Sequence, residues 1–438
     1  MSDEGSTSTP LAPVIRADRV EALDILRGVA VLGILMMNIT AFGLLFHAYG
    51  NPLAGGGADG PNLIAYKIIQ VGFEGTMRGI FSLLFGASIV LLTERMEASG
   101  AGLMTAEIHF RRMLWMMLFG VIHWALLLWT GEILFAYSLC GLVLFALRKL
   151  RPGIQIAAAL LLLIGAAAIQ THQYHDAVKE KAAATVAEAA KTSGAKLTTE
   201  QEAAIESWQE QLGHVTPAPE EAKAIRDIHK GSWWNAVVKQ WPGSVAFQWK
   251  GAPFWLLFDM IPFMLLGMGL LKLGILGGAA PPRLYLAMAL AGYGVGIPLG
   301  IYELNLVLDA RFDALAFAEA DRTYELSRLA MVIGHLGLLL LFIRSGIIRP
   351  LQCALAATGQ MALSNYLMQT IICTALFYGF GFGLFEAFQR YQLYGVVAAI
   401  WIAELIWSPL WLRHYRFGPF EWLWRSLTYW KLQPMRLA

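Results

Sequence analysis

Charged residues and cysteines are both scarce in this sequence. Only 15% of the 438 residues are charged and 57% are apolar, whereas a soluble domain has roughly a quarter of its residues charged, so a water-soluble protein is excluded. The net charge of +2 is too small to predict nucleic-acid binding. Cys140, Cys353 and Cys373 all fall inside apolar segments, which indicates small packing residues and excludes a disulfide framework.

Motifs of metal and nucleotide sites are also missing. The chain has no HExxH pattern and no Cys/His cluster, so we expect no metal ion. The GGGADG stretch at residues 55–60 follows no strand pattern and indicates a loop. The polar residues 1–20 carry Asp3 and Glu4 where a signal peptide would be basic. We expect them to form a disordered cytoplasmic tail.

What the sequence does have is long apolar runs, which recur along its whole length. A helix needs roughly 20 apolar residues to cross a hydrocarbon core of about 30 Å. The runs predict an all-α polytopic membrane protein of about ten transmembrane helices in a lipid bilayer. The predicted spans are 24–48, 63–93, 113–129, 131–147, 154–171, 253–273, 284–306, 326–343, 352–377 and 392–412.

The positions of Lys and Arg predict the orientation. If the N-terminus is inside, most of these residues in the short loops fall on the cytoplasmic side, which is where such loops retain them. We therefore expect both termini in the cytoplasm. Residues 21–171 then hold the first five spans, 251–412 hold the other five, and 413–438 form a cytoplasmic amphipathic segment. A small-residue face with Gly292 and Gly294 permits close helix packing, including in a homo-oligomer.

Residues 172–250 differ in composition from the spans on either side. They are rich in Ala, Lys and Glu, and Thr199 with Glu202 forms a helix N-cap pattern. We expect a helical extracytoplasmic insert that acts as a spacer or lid, or alternatively as a partner-binding module. Three tryptophans near its end suit the membrane interface: Trp233, Trp234 and Trp241.

Ionisable residues inside the spans are the main chemical lead, because they are costly there and tend to pair or to face a cavity. In the first span, Asp24 and Arg27 are spaced to pair, and Asn38 lies about 16 Å deeper on nearly the same face. The alternative is that Arg27 is a snorkelling anchor and Asn38 an interhelical hydrogen bonder.

The second, third and fourth spans add two further pairs. Glu74 and Arg78 are four residues apart and could pair within one helix, either to fix packing or to leave Arg78 for an anionic group. His123 lies inside the third span, toward its outer end, and Glu132 follows a short turn, so the carboxylate could orient the imidazole as a general base. A hydrogen-bonded packing histidine is the alternative.

The later spans hold more polar residues. Asp259 and Glu303 lie toward span ends and are interpreted as boundary residues. The other polar residues either form hydrogen bonds with one another across helices or line a cavity. They are His335, Asn365 and Glu404.

Five motifs in order resemble a known family. They are LDILRGVAVLGILMMNI, FSLLFGAS, RRMLWMMLFGVIHW with GEILFAYSLCG, GQMALSNYLMQT and FGPFEWLWRSLTYWKLQPMR. Together they resemble the YeiB-like bacterial family catalogued as domain of unknown function 418, over the whole chain apart from the insert. The resemblance implies a multi-pass protein of the bacterial cytoplasmic (inner) membrane.

That family is distantly similar to transmembrane acyltransferases of the acyltransferase-3 and heparan glucosamine acetyltransferase types, through its LDxLRG start. The similarity implies transfer of an acyl group from cytoplasmic acyl-CoA or acetyl-CoA to an extracytoplasmic sugar, lipid or other hydroxyl or amine acceptor. The acyltransferase-3 pattern has a His eleven residues after the Arg, but here Arg27 is followed by Asn38, which cannot act as a general base. We expect His123, supported by Glu132, to take that role.

Under this hypothesis three arginines hold the CoA phosphates: Arg27, Arg111 and Arg112. Arg78 and Asn38 polarise the thioester carbonyl. Two other classes stay open. One is a transporter or lipid-handling protein with a midplane cavity lined by Glu74, Arg78, His335 and Glu404. The other is a non-catalytic scaffold or sensor in which the insert is the working part.

Overall fold

The computed structural model describes residues 20–250 and 254–437, and this part of the chain is helical. The predicted tail, residues 1–20, lies outside the described residues apart from Val20. The helices are α1 (Glu21–Gly43), α2 (Gly60–Gly72), α3 (Thr76–Ala98), α4 (Met104–Ala125), α5 (Leu134–Leu147), α6 (Pro152–Thr192), α7 (Thr199–Val215), α8 (Pro219–Lys230), α9 (Trp233–Lys250), α10 (Ile261–Lys272), α11 (Pro282–Asp309), α12 (Ala314–Ser345), α13 (Arg349–Gln360), α14 (Ala362–Phe377), α15 (Arg390–Leu412) and α16 (Pro419–Tyr429).

Within the described residues, six helical stretches are long and apolar enough to cross a membrane. They are Glu21–Gly43, Gly60–Ala98, Pro152–Thr192, Pro282–Asp309, Ala314–Ser345 and Arg390–Leu412. The prediction of a helical multi-pass membrane protein is confirmed. Six is fewer than the predicted number of spans because some apolar runs form shorter helices, such as α5 and α14.

A glycine breaks the predicted second span. Gly75 has φ +63°, a left-handed conformation that costs other residues more, and it separates α2 from α3. The expectation that Glu74 and Arg78 pair within one helix is therefore wrong, because Glu74 precedes the break and Arg78 follows it.

Close helix contacts hold α1 in the centre of the bundle. Gly28 and Gly359 let α1 and α13 touch, since a Cβ on either residue would collide with the backbone of the other helix. Helices α11 and α12 also touch at glycines, where Gly292 packs against Gly334. Gly292 therefore packs against α12 of the same chain, while Gly294 faces open space. The face predicted for a homo-oligomer is thus partly covered by α12.

The insert is helical, as expected, but its details differ from the prediction. Helix α6 runs without a break from the membrane segment to Thr192. The N-cap of α7 is Thr198, whose side chain and that of Gln201 form the capping box. The prediction of Thr199 and Glu202 is wrong by one residue, because a Thr-Thr pair offers two cap registers and Gln serves at the third position as well as Glu.

Helix α8 docks the insert onto the loop between α14 and α15. Arg226 donates from Nε and Nη2 to the carboxylate of Glu386, at 2.7 and 3.1 Å. The ring of His229 stacks on Phe385, with 3.9 Å between centroids, and lies 4.4 Å from the ring of Tyr378. The insert is therefore held by an ion pair and an aromatic stack.

This docking is expected to weaken at acid pH. Burial lowers the pKa of His229 below its usual 6.5, against a smaller opposite effect of the Ile225 carbonyl and Glu386. The unfolded state binds more protons than the folded state as pH falls below 6.5, so stability falls there. We expect the wild type to lose more thermal stability between pH 7.5 and 5.5 than His229→Phe, which keeps the stack but does not titrate. Equal losses would show that His229 is not the titrating group.

Candidate functional site

Two cavities follow one another along α1, and a third adjoins the second of them. The basic cavity, of about 210 Å³, is lined by Asp24, Arg27, Arg95, Arg112, Glu421 and Arg425 among others. The central cavity, of about 60 Å³, includes Asn38. The acidic cavity, of about 410 Å³, is lined by Glu74, Asp259, Glu303, Asp321 and Glu325, with Arg78 and Arg328. Tyr366 lines both the basic and central cavities, and Tyr49 and Arg78 line both the central and acidic ones.

The basic cavity is positively charged at its polar end. Arg27 donates to Asp24 Oδ1 at 2.9 Å and to Ser88 Oγ at 3.2 Å, which confirms the predicted pair. The other carboxylate, Glu421, accepts from the backbone N–H groups of Leu363 and Ser364 at 2.7 and 3.0 Å. Four arginines thus face two carboxylates, and the excess positive charge favours an anionic ligand.

Most of the remaining wall of the basic cavity is apolar. Its apolar residues include Phe81, Leu84, Phe85, Met113, Met116 and Leu134. Helix α16 covers one side, where the Arg112 guanidinium lies 4.0 Å from the ring centre of Trp424. A cavity with a cationic end and an apolar wall suits a ligand that has both an anionic and an apolar part.

The neighbouring arginine, Arg111, points elsewhere. It pairs with Glu107, donates to the Thr428 carbonyl at 2.9 Å and lies 4.0 Å from the Trp430 ring centre. Adjacent helix residues lie about 100° apart around the axis, so only one of the two arginines lines the cavity. The sequence predicted that Arg111 acts together with Arg27 and Arg112. In the structure Arg111 lies apart from them and does not line the cavity.

Asp259 is a site residue that the sequence interpretation missed. It is 5% exposed, accepts from Arg78 Nε at 2.9 Å and Nη2 at 3.1 Å, and also pairs with Arg328. Glu325 completes the network by accepting from Arg328 Nη2 at 2.9 Å. Asp259 is therefore no boundary residue, and Arg78 is largely neutralised by it. The only signal in the sequence was the three-residue spacing of Glu325 and Arg328.

His123 and Glu132 meet, as their spacing predicted. Nδ1 of His123 lies 3.4 Å from Glu132 Oε1, and Nε2 lies 2.8 Å from Thr370 Oγ1. Glu132 also accepts from the backbone N–H groups of Leu134 and Phe135. His123 is fully buried and is not among the residues lining the three cavities. Its ring contacts Tyr366 edge-on at 4.9 Å, so Tyr366 connects it to the basic and central cavities.

Three of the deeper polar residues have packing roles in the structure. Asn365 donates to Thr358 O and Ser408 Oγ, both at 3.1 Å, and accepts from Trp407 Nε1 at 2.8 Å. His335 packs between Phe73 and Tyr293, and Glu404 accepts from Gln369 at 3.1 Å. Neither His335 nor Glu404 is among the residues lining the three cavities.

Apolar helices around charged and polar cavities define this molecule as a helical multi-pass membrane protein with a polar interior. The chain belongs to the YeiB-like family, whose model, described as "Protein of unknown function (DUF418)", matches residues 270–431. The family resemblance predicted from the five motifs is confirmed.

Two relatives align over nearly the whole chain. "Uncharacterized protein YeiB" of Escherichia coli (strain K12) is 32% identical over 94% of this chain and 96% of its own length. "Uncharacterized protein YxaH" of Bacillus subtilis (strain 168) is 28% identical over 97% of this chain and 98% of its own. No solved structure matches the chain. These names state no activity, so the similarity to acyltransferases stays a prediction.

Proposed function

We propose that the protein is a membrane-embedded acyltransferase that moves an acyl group from cytoplasmic acyl-CoA to an extracytoplasmic hydroxyl or amine acceptor. In this proposal it lies in the bacterial cytoplasmic (inner) membrane with about ten spans, both termini in the cytoplasm and the insert outside. The positive-inside distribution of Lys and Arg supports this orientation.

The adjoining cavities, two of them along α1, are the observation that carries the proposal. Arg27 lines the first cavity and Asn38 the second, and eleven residues of helix span about 16 Å. Because neighbouring cavities share Tyr366 at one junction and Tyr49 with Arg78 at the other, a donor at one end and an acceptor at the other could meet near the central cavity.

The basic cavity is the proposed donor site. Arg27 and Arg112 bind the CoA phosphates through charge-assisted hydrogen bonds, with Arg95 and Arg425 adding positive charge. The apolar wall receives the pantetheine arm and the acyl group. Asn38 lies where the thioester would arrive and can donate from its amide to the carbonyl oxygen.

In the transfer step the acceptor oxygen or nitrogen attacks the thioester carbon, and the bond from that carbon to sulfur breaks. The acyl group then belongs to the acceptor, and the sulfur of CoA is released as a thiolate. The acceptor proton passes to His123, whose ring Glu132 orients. His123 then gives this proton to the thiolate, and CoA leaves as the thiol. This role requires Tyr366 to move, since its ring lies between the cavities and His123.

Binding of acetyl-CoA and palmitoyl-CoA to the detergent-solubilised protein, measured by calorimetry, tests the donor site. We expect a dissociation constant on the order of micromolar. Arg112→Gln removes a phosphate contact of about 1.5–3 kcal/mol and should weaken binding by about 10- to 150-fold. The matched control is Arg283→Gln, an exposed arginine that does not line the basic cavity, which should leave binding unchanged.

A transporter or lipid-handling protein is the main alternative. Its proposed midplane cavity is supported by Glu74 and Arg78, which line the acidic cavity, but not by His335 or Glu404. A short-chain phosphatidylglycerol in the same titration separates the two functions. If it binds and both acyl-CoA ligands fail, the basic cavity takes lipid headgroups and the acyltransferase proposal is overturned.

A further inference from the structure

Helix α9 exposes a stripe of apolar residues. Trp234, Val238 and Trp249 are 64%, 54% and 61% exposed. Trp241, which is exposed, and Val245, which is half-buried, complete the same stripe. Successive members of the stripe are three or four residues apart. A helix facing water would turn such a stripe inward, so the surroundings of this face are apolar.

The side of α9 that contacts the protein buries Ala236 and Val237, and its polar residues hold the turn between α4 and α5. Gln240 donates to Thr130 Oγ1 at 2.8 Å, and Gln248 donates to the carbonyls of Thr130 and Glu132 at 3.2 and 3.3 Å. The turn needs this support because Leu128 has φ +64°, a strained conformation for a leucine.

A third sector of α9 is exposed and more polar. Lys239 and Gly243 lie there, and Lys239 is about 100° around the helix from Val238. Helix α9 thus has three sides: one contacts the protein, one is apolar and one bears a cation. This arrangement is typical of a helix at a membrane surface. The cation then reaches the headgroups while the tryptophans lie in the interfacial layer.

The apolar stripe of α9 is continuous with an exposed apolar stripe on α4. That stripe consists of Leu114, Leu118, Ile122 and Leu126. The two meet where Trp233 Nε1 donates to the Leu126 carbonyl at 3.0 Å, and Trp124 and Trp241 have ring centroids 4.9 Å apart. The two stripes therefore form one continuous exposed apolar surface.

We infer that α9 is an interfacial membrane helix, with the Trp234, Val238, Trp241, Val245 and Trp249 face in the lipid. On the side that contacts the protein, Gln240 and Gln248 hold the turn that carries Glu132. The occupant of the apolar face is the bilayer, and the insert is anchored to the membrane at this end. This inference does not depend on the acyltransferase proposal.

Spin labels on the full-length protein in lipid nanodiscs test the inference. Cys353→Ser removes the exposed cysteine, while Cys140 and Cys373 are buried. Val238→Cys and, separately, Lys239→Cys then carry the label, with Trp234→Cys as a second position on the apolar face. We expect the labels at 238 and 234 to collide often with oxygen and rarely with a water-soluble nickel chelate, and the label at 239 to do the reverse.

Two other outcomes would overturn the inference. If the labels at 238 and 239 are equally accessible to the chelate, the stripe faces water. If the labels at 238 and 234 are protected from both reagents, another protein or a second copy of the chain covers the face.

Discussion

Asp259→Asn is expected to lower the free energy of unfolding by about 3–5 kcal/mol, the usual cost of removing one partner from a buried ion pair. Asp259 neutralises Arg78 through two hydrogen bonds and also pairs with Arg328. Glu325 still pairs with Arg328 in the variant, but the negative charge that Asp259 places against Arg78 is lost. Titration of the solubilised protein with a denaturing detergent measures the difference.

Glu386→Gln is a matched control for this prediction. Glu386 also binds an arginine through two hydrogen bonds, those from Arg226 at 2.7 and 3.1 Å, but the pair is partly exposed. Exposed pairs are worth about 0–1 kcal/mol. Similar losses in the two variants would mean that burial does not set the cost, and that the Asp259 network is less important for the fold than its geometry indicates.

The sequence predicted best those contacts that depend on local spacing. Asp24 and Arg27 pair along one helix, and His123 meets Glu132 because the connecting turn is short. The helical, membrane-embedded class followed from the apolar runs alone. In each case the geometry is fixed by a few consecutive residues, so helix periodicity was enough.

The sequence predicted poorly where distant segments meet. Asp259 and Arg78 are 181 positions apart, and nothing in their local pattern joins them. Glu74 and Arg78 do not share the one helix predicted for them, because the left-handed backbone of Gly75 separates α2 from α3 between them. The sequence could not show which of Arg111 and Arg112 lines the cavity. That depends on the position of α16, whose segment contacts both side chains.

His123→Gln is expected to lower the rate of acyl transfer by about 10²- to 10⁴-fold, the usual contribution of a general base. Glutamine can still hydrogen-bond to Thr370 at the position of Nε2, but it cannot accept a proton. The release of free CoA thiol from acetyl-CoA measures the rate, with glucosamine offered as an amine acceptor and glycerol as a hydroxyl acceptor.

Binding and stability separate the loss of the base from a packing defect in His123→Gln. Because His123 does not line the basic cavity, acetyl-CoA affinity should stay at the wild-type value while the rate falls. Thr370→Val, which removes the hydrogen bond to Nε2 but keeps the imidazole and Glu132, should retain most of the rate. Undiminished transfer in His123→Gln would remove His123 as the base. An equal rate loss in both variants would assign His123 a packing role beside Tyr366.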